Sequence, residues 1–451
     1  MLKGMRGRRK ALTVEPEIPG VSSKCRSQTP TQALTAILDG QCGTQTRRRN
    51  QREVKEALLN KVPACLQESE FPCWRWQEYD KAFACEWLDT ENVVIGTKCN
   101  RLLLLNTTTR KVTRVPIPPA PPRASLQQAA ADSNSAYGNC GIHSISISPD
   151  REFLATGGSN PADCQIMRIR DGANACTSQP TLEPVQTLVG HTDWVFGATW
   201  VTDRHVVTGS RDQQIKLWKV DADEPAAKPN TQPLYSVLPL KPTGREENYK
   251  VRDVKYDRQL GRVVTLTTNG AVQLWDPHLS HIRTVRLKHS KEVVCLAMTD
   301  SLVAVGSQSH VSLIDPRKKT PVQEVESLDH SHGVRSLTFL DHLLSCGSGR
   351  GRMFFYDMRA AAYLELDPLD APPVSQNSRP GSTLPDRTTN FLQCGPGYLN
   401  QTDAVYLEHF HGEQVFNACY SHAWDPTSTR LMCVGGPLAY GLRGCYMALW
   451  D

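Results

Sequence analysis

One phrase recurs from about residue 82 to the last residue of the chain: a short apolar strand, a polar turn, an apolar pair followed by small residues, and a further apolar strand that often ends in Trp or Tyr plus Asp. Such a repeat constrains the fold more than any local propensity. A unit of about 40 residues cannot bury its own apolar face, so it must stack against copies of itself. The clearest copy runs GHTDWVFGATW (Gly190 to Trp200), VVTGSRD (Val206 to Asp212) and IKLWKV (Ile215 to Val220). Six further units align with it, their first strands opening at Ala82, Ile142, Val251, Val293, Val334 and Val415. Short apolar runs bounded by Gly, Ser and Asp are strands of hairpins. Seven such units predict an all-β fold, a seven-bladed β-propeller of the WD-repeat kind.

In the Gly190 unit, His191, Asp212 and Trp218, with Ser210 or Thr208 as the hydroxyl, have the spacing of a hydrogen-bonded side-chain tetrad. Leu274-Trp275-Asp276 and Leu449-Trp450-Asp451 keep the ending without the Gly-His pair, so apolar packing must carry those blades. The seventh unit reaches Asp451 with three strands. A fourth is expected from residues 70–79 (EFPCWRWQEY), which closes the ring without an open edge. Val54, Leu58, Leu59 and Val62 recur at helical spacing until Pro63 breaks the pattern. The expected organisation is therefore a basic, mostly disordered tail over 1–50, a short N-terminal helical segment over 51–69, and the propeller over 70–451, with loops at 107–139, 221–248 and 360–410.

A composition of 39% hydrophobic and 22% charged residues supports a sizeable core and excludes a wholly disordered chain. The net charge of +5 is unevenly held: residues 1–53 carry eleven Lys/Arg against four Asp/Glu, so the tail is +7 and the rest −2. No run approaches the ~20 apolar residues of a membrane span, and a soluble intracellular protein is expected. The fifteen cysteines include no CxxC pair, which fits reduced, buried small hydrophobes rather than a disulfide framework or a zinc knuckle. HExxH, GxSxG and GxxxxGK[ST] are all absent, so neither catalysis, a metal nor a cofactor is expected.

Function must then come from what the rims display. His191 and Asp212 place the start of a blade's first strand and the turn after its second on one face. Comparing matching offsets across the blades gives Lys81 and Lys98 in the first unit, Arg211 in the third, Lys250 and Arg252 in the fourth and Arg335 in the sixth, against one acid, Glu292. Cations converging on one channel mouth imply an anionic ligand: an acidic peptide tail, a phosphopeptide or a nucleic-acid backbone. On the opposite face, Asp357-Met358-Arg359 and Asp315-Pro316-Arg317 repeat one Asp-x-Arg offset.

Several strings are not repeat consensus: GTKCN (Gly96 to Asn100), NCGIHSISISP from Asn139, LATGGSNP from Leu154, GSRD from Gly209, KVR from Lys250, GSQSHVSLIDPR (Gly306 to Arg317), FFYDMRA (Phe354 to Ala360) and the closing VGGPLAYGLRGCYMALWD. Across most of residues 75–451 the chain resembles the cullin-4 associated factor 12 family. The resemblance implies a non-catalytic substrate receptor of a cullin-4 RING ubiquitin ligase, bound through the damage-specific DNA-binding adaptor and recognising proteins that end in acidic residues, typically twin glutamates. By the same resemblance Lys81, Lys98, Arg211, Arg252 and Arg335 form the degron pocket, and Asp357 and Arg359 contact the adaptor. Tyr356 stands where a Trp-Asp ending is common in such receptors. Cytoplasmic and nuclear residence, with the centrosome as a further address, is expected, with no membrane and no nucleic-acid partner. The alternative is a WD-repeat scaffold for nucleic-acid or ribonucleoprotein assembly.

Overall fold

The computed structural model describes residues 44–71, 78–120, 141–170, 179–221, 229–238, 249–299, 301–366, 390–410, 412–439 and 441–451. The chain divides between Leu59 and Asn60 into two compact units. A helix, α1, spans Thr44–Cys65, beginning well before the expected segment and carrying Pro63 in its last turn. The reason is compositional: Gln45, Arg47 to Arg49, Gln51 and Arg52 are good helix formers, which a search for apolar spacing passes over. Pro63 ends the helix within a turn rather than at its own position, because the bonds it cannot make are the final ones. The expected disorder of the tail falls on residues 1–43, outside the described residues.

The second unit, Asn60–Asp451, is built of seven antiparallel sheets in sequence order. Blade 1 comprises Ala82–Trp87, Asn92–Thr97, Leu102–Asn106 and Val112–Val115. Blade 2 comprises Ile145–Ile147, Phe153–Gly157, Asp163–Arg170 and Thr181–Val189, and blade 3 comprises Val195–Thr202, His205–Ser210, Ile215–Lys219 and Tyr235–Val237. Blade 4 runs through Val251–Asp257, Arg262–Thr267, Ala271–Trp275 and His281–Arg286, and blade 5 through Cys295–Met298, Val303–Gly306, His310–Ile314 and Gln323–Glu326. Blade 6 has Val334–Leu340, Leu343–Ser348, Arg352–Asp357 and Ala362–Tyr363; blade 7 has Asn417–Trp424, Leu431–Pro437 and Gly444–Trp450. First strands of neighbouring blades pack against one another around the axis. Between successive blades lie seven apolar clusters, so each blade buries one face on each neighbour.

The stretches expected as loops are partly ordered. Val112–Val115 and Tyr235–Val237 are outer strands, and within 360–410 lie three short strands, Ala362–Tyr363, Leu392–Gln393 and Tyr398–Leu399, and a helix, α2, Ala404–His409. Residues 121–140, 222–228, 239–248 and 367–389 lie outside the described residues.

The tetrad resolves in favour of Thr208. His191 Nδ1 lies 2.8 Å from Asp212 Oδ2 and its Nε2 2.8 Å from Thr208 Oγ1, which also accepts from Trp218 Nε1 at 2.8 Å. Ser210 instead donates to the Asp193 carbonyl. Blade 4 keeps half of this device, Trp275 Nε1 donating to Thr265 Oγ1 at 3.0 Å.

The fourth strand of blade 7 is Glu68–Glu70, two residues upstream of the expected segment, paired in register with Trp450, Leu449 and Ala448. Gln67 and Asp451 exchange both backbone bonds, and Phe71 N–H donates to Met447 O at 3.0 Å. Of the rest of the expected segment, residues 72–77 lie outside the described residues. Phe71 is 1% exposed and packs in the cluster between blades 7 and 1. Phe71→Ala is expected to lower stability by about 3–5 kcal/mol in urea denaturation, because it removes the anchor of the closing strand.

Candidate functional site

Most inner strands carry one extra residue near the start. Register breaks between Ala82 and Ala84, Val195 and Gly197, Val251 and Asp253, Val334 and Ser336, and Cys419 and Ser421 leave Phe83, Phe196, Arg252, Arg335 and Tyr420 as the bulged residues. A bulge re-aims its side chain, and all five line a cavity of about 1100 Å3 at the ring axis, joined there by His143 and Val294.

In four blades the next residue along the chain stitches blade to blade. Ser144 Oγ accepts from Ala198 N at 3.1 Å, Asp253 Oδ2 from Leu296 N at 3.2 Å, and Ser421 Oγ from Cys85 N at 3.3 Å, while Ser336 Oγ donates to Cys419 O at 3.0 Å. Bulge and stitch together fix where the cavity-lining side chains begin.

Of the five expected pocket cations, Lys81, Lys98, Arg252 and Arg335 line the cavity. Arg211 does not; its guanidinium stacks 4.7 Å over Trp194 with Nε 3.3 Å from Asp193 Oδ2, standing behind a cavity wall rather than in it. Lys98 Nζ pairs with Asp80 Oδ2 at 2.6 Å. Asp80 Oδ1 meanwhile accepts from the Lys81 and Gly444 backbone N–H groups, which holds the carboxylate in place. Arg252 stacks 4.5 Å over Phe196. Arg335 Nη2 meets Glu292 Oε2 at 2.7 Å while its Nε donates to the His332 carbonyl at 3.0 Å.

Lys81 is the buried member, 5% exposed, with Nζ donating to Ala439 O at 3.2 Å. Burial, reinforced by the charge of Lys98 and only partly offset by Asp80, brings its pKa down to about 8. Further along the first strands the lining is mixed, Asp253 and Glu86 standing with Lys255: burial raises Asp253, and burial lifts Glu86 to about 7 against the pull of Lys255 and Arg151.

Sequence comparison of the rim offsets missed two kinds of residue. Asp80 and Asp193 sit beside the positions compared, so only Glu292 was visible as an acid. The aromatic residues were at the compared offset, Phe83, His143 and Phe196 aligning with Arg252 and Arg335, but a search for charge passes over them. Tyr420 was displaced by register, since the seventh unit was opened at Val415 whereas its strand is Asn417–Trp424.

On blade 6, Asp357 pairs with Leu343 and Leu343 with Leu340, at the end of the blade opposite Arg335. Asp357 is buried and accepts from Arg359 N, Ala360 N and Asn60 Nδ2, at 2.8, 3.2 and 3.0 Å. Asn60 Oδ1 meets His342 Nε2 at 2.7 Å. Despite burial, these bonds hold the Asp357 carboxyl below the usual carboxylate range. Asp357 thus organises its turn and the end of α1, and Arg359, with Arg317, is what that face displays to solvent. No group of three or more His, Cys, Asp or Glu among the described residues could hold a metal ion. No helix among them is long and apolar enough to cross a membrane.

A closed ring of seven four-stranded blades with a polar axial mouth defines a WD-repeat propeller. Residues 63–451 match the family described as DDB1- and CUL4-associated factor 12 beta propeller, and the chain belongs to that family. Among curated proteins it is similar to a ribosome biogenesis protein WDR12 homolog of Anopheles gambiae, 25% identical over 46% of this chain and 49% of that one. It is similar as well to human F-box/WD repeat-containing protein 9, 26% identical over 37% of this chain and 35% of that one. The matches span about half or less of those relatives. Among solved structures, the RRP9 WD40 repeats share 12% identity at a TM-score of 0.54, covering 86% of this chain and all of that one. The U3-55K structure shares 12% at 0.53, covering 85% and 98%. These two likenesses show the fold alone.

The buried ammonium generates a pH-dependent expectation. With the folded pKa of Lys81 below that of an ordinary lysine, the unfolded chain binds more protons, so this group's contribution to stability rises with pH between about 8 and 10.5. Lys81→Met is expected to stabilise the protein at pH 7 by roughly 1–3 kcal/mol, with the advantage fading above pH ~10 in urea titrations across pH.

Proposed function

We propose that the chain is the substrate-recognition subunit of a cullin-4 RING ubiquitin ligase: its basic mouth binds acidic, Glu-Glu-type C-termini, and its opposite face docks to the damage-specific DNA-binding adaptor. The observation that carries this reading is the convergence of Arg252, Arg335, Lys98 and Lys81 on one cavity of a propeller in this family. Two guanidinium groups and two ammonium groups give the three carboxylates of a Glu-Glu end several simultaneous charge-assisted bonds. No nucleophile or metal is assigned, so the chain positions a substrate and leaves ubiquitin transfer to its partners. Arg211, stacked on Trp194 behind the wall, acts on such a ligand through the potential it adds and through holding that ring.

A charge-assisted hydrogen bond is worth about 1.5–3 kcal/mol, so Arg252→Ala or Arg335→Ala should weaken a peptide ending in Glu-Glu about ten- to a hundredfold in fluorescence anisotropy. The same peptide ending in Glu-Glu-Gly, or amidated at its terminus, should lose a comparable factor. Unchanged affinity in both comparisons overturns the assignment. For the adaptor face, Arg359→Glu should abolish co-purification with the adaptor and leave peptide affinity intact; Asp357→Ala should in addition lower stability, since Asn60 and two backbone N–H groups lose their acceptor.

A second reading draws on the names of the similar ribosome biogenesis protein and on the basic residues of 1–53. A ribonucleoprotein scaffold predicts oligonucleotide binding that falls steeply with salt and is lost on deleting residues 1–53; weak, salt-insensitive binding removes it.

A further inference from the structure

Half of the mouth is not charged. Around the axis, blades 7, 1, 2 and 3 contribute rings in unbroken contact. Tyr420 meets Phe83 edge-on at 5.1 Å, Phe83 stacks on His143 at 4.6 Å, and His143 meets Phe196 edge-on at 4.9 Å. Trp194 extends the arc beyond Phe196 at 6.3 Å. All five line the cavity and stay half-buried. Blades 4 and 6 supply Arg252 and Arg335 across from them, and Arg252 lies over Phe196 where the two halves meet.

This division bears on what the mouth selects. Contiguous apolar surface left uncovered in a soluble protein marks a binding surface, and aromatic rings beside Arg are the residue types that dominate binding energy. An extended peptide sends successive side chains to opposite sides. If the last Glu side chain faces Arg252 and Arg335, the fourth residue from the end lies on the side of the rings; if the second-last Glu does, the third residue lies there. Deeper in the same cavity Lys255 is already engaged by Asp253 and Glu86, so a carboxylate gains less there than at the mouth, and the terminus halts at the level of the rings.

We propose that the mouth reads an amphipathic C-terminus, in which the acidic terminal residues are preceded, at the third or fourth position from the end, by a bulky apolar or aromatic side chain seated on the Tyr420, Phe83, His143 and Phe196 arc. The inference rests on the acidic C-terminus reading and adds to it a second specificity element of different chemistry. Charge sets which chains enter; the arc ranks those that do.

The test uses the full chain and fluorescent peptides ending in Gly-Gly-Glu-Glu, with Trp or Leu placed singly at the third or fourth position from the end, each beside a version extended by a terminal Gly. Expected is a three- to tenfold gain in affinity for Trp or Leu at one of the two positions, and a fall of that ratio to about one in Phe196→Ala. Tyr420→Leu serves as the second variant should the first fail to fold, with melting curves recorded for both. Glu-Glu peptides that bind without any gain at either position overturn the arc and leave the acidic reading standing. A gain that persists undiminished in both ring variants likewise overturns it. Absence of all Glu-Glu binding overturns both.

Discussion

Closure of the ring is the constraint on which everything else depends. Seven blades pack face to face in a circle, so each apolar cluster exists only if its two neighbours are held, and the interface between blades 7 and 1 joins residues more than three hundred positions apart. Three backbone-paired residues, Glu68 to Glu70, seal it, flanked by the reciprocal bonds of Gln67 with Asp451 and by buried Phe71. An open seventh blade would expose an unpaired edge and unseat Tyr446 and Met447, which lie in the clusters on its two sides. Closure also holds Lys81: its chain neighbour Asp80 accepts from Gly444, and its ammonium donates to the Ala439 carbonyl of blade 7.

From closure follows the geometry of the mouth. A regular strand running along the axis would leave its side chains alternating between the channel and the packed interior. The extra residue in the first strands breaks that alternation near the start and turns one side chain per bulge toward the axis. After three of the bulges the following residue, Asp253, Ser336 or Ser421, spends its polar group on the next blade, and Ser144 does the same in blade 2. A binding surface composed on rigid inner strands is held more tightly than one composed on loops. It can also change chemistry blade by blade, since each bulged position is set independently of the core beneath it.

How much of this was legible beforehand follows from what each signal measures. Repeat number, strand order and one-face placement of His191 and Asp212 were readable because apolar spacing and turn residues are local. Four of the five cations found by comparing like positions in like units line the axial cavity. What failed needed non-local information. Thr208 against Ser210 is decided by which hydroxyl Trp218 can reach, the closing strand is decided by a pairing with Trp450, and Arg211 is drawn from the cavity by Trp194 and Asp193. The aromatic arc was hidden differently: its residues read as ordinary strand aromatics until the bulges show that they point away from the core.

The internal acids decide what kind of ligand this mouth can favour. Lys98 already holds Asp80, and Arg335 holds Glu292, whose backbone adopts a φ of 54° outside the range ordinary residues prefer. A single incoming carboxylate at Arg335 has to displace Glu292, so it gains less than a charge-assisted bond to an unoccupied donor. In the proposed reading net attraction comes from reaching several groups at once: Arg252, Arg335, the Lys81 ammonium and the rings. The proposed ligand, a chain end with three carboxylates and an apolar neighbour, fits such a mouth, while a diffuse polyanion lying across the rim meets the acids Asp193 and Glu292, 31% and 43% exposed.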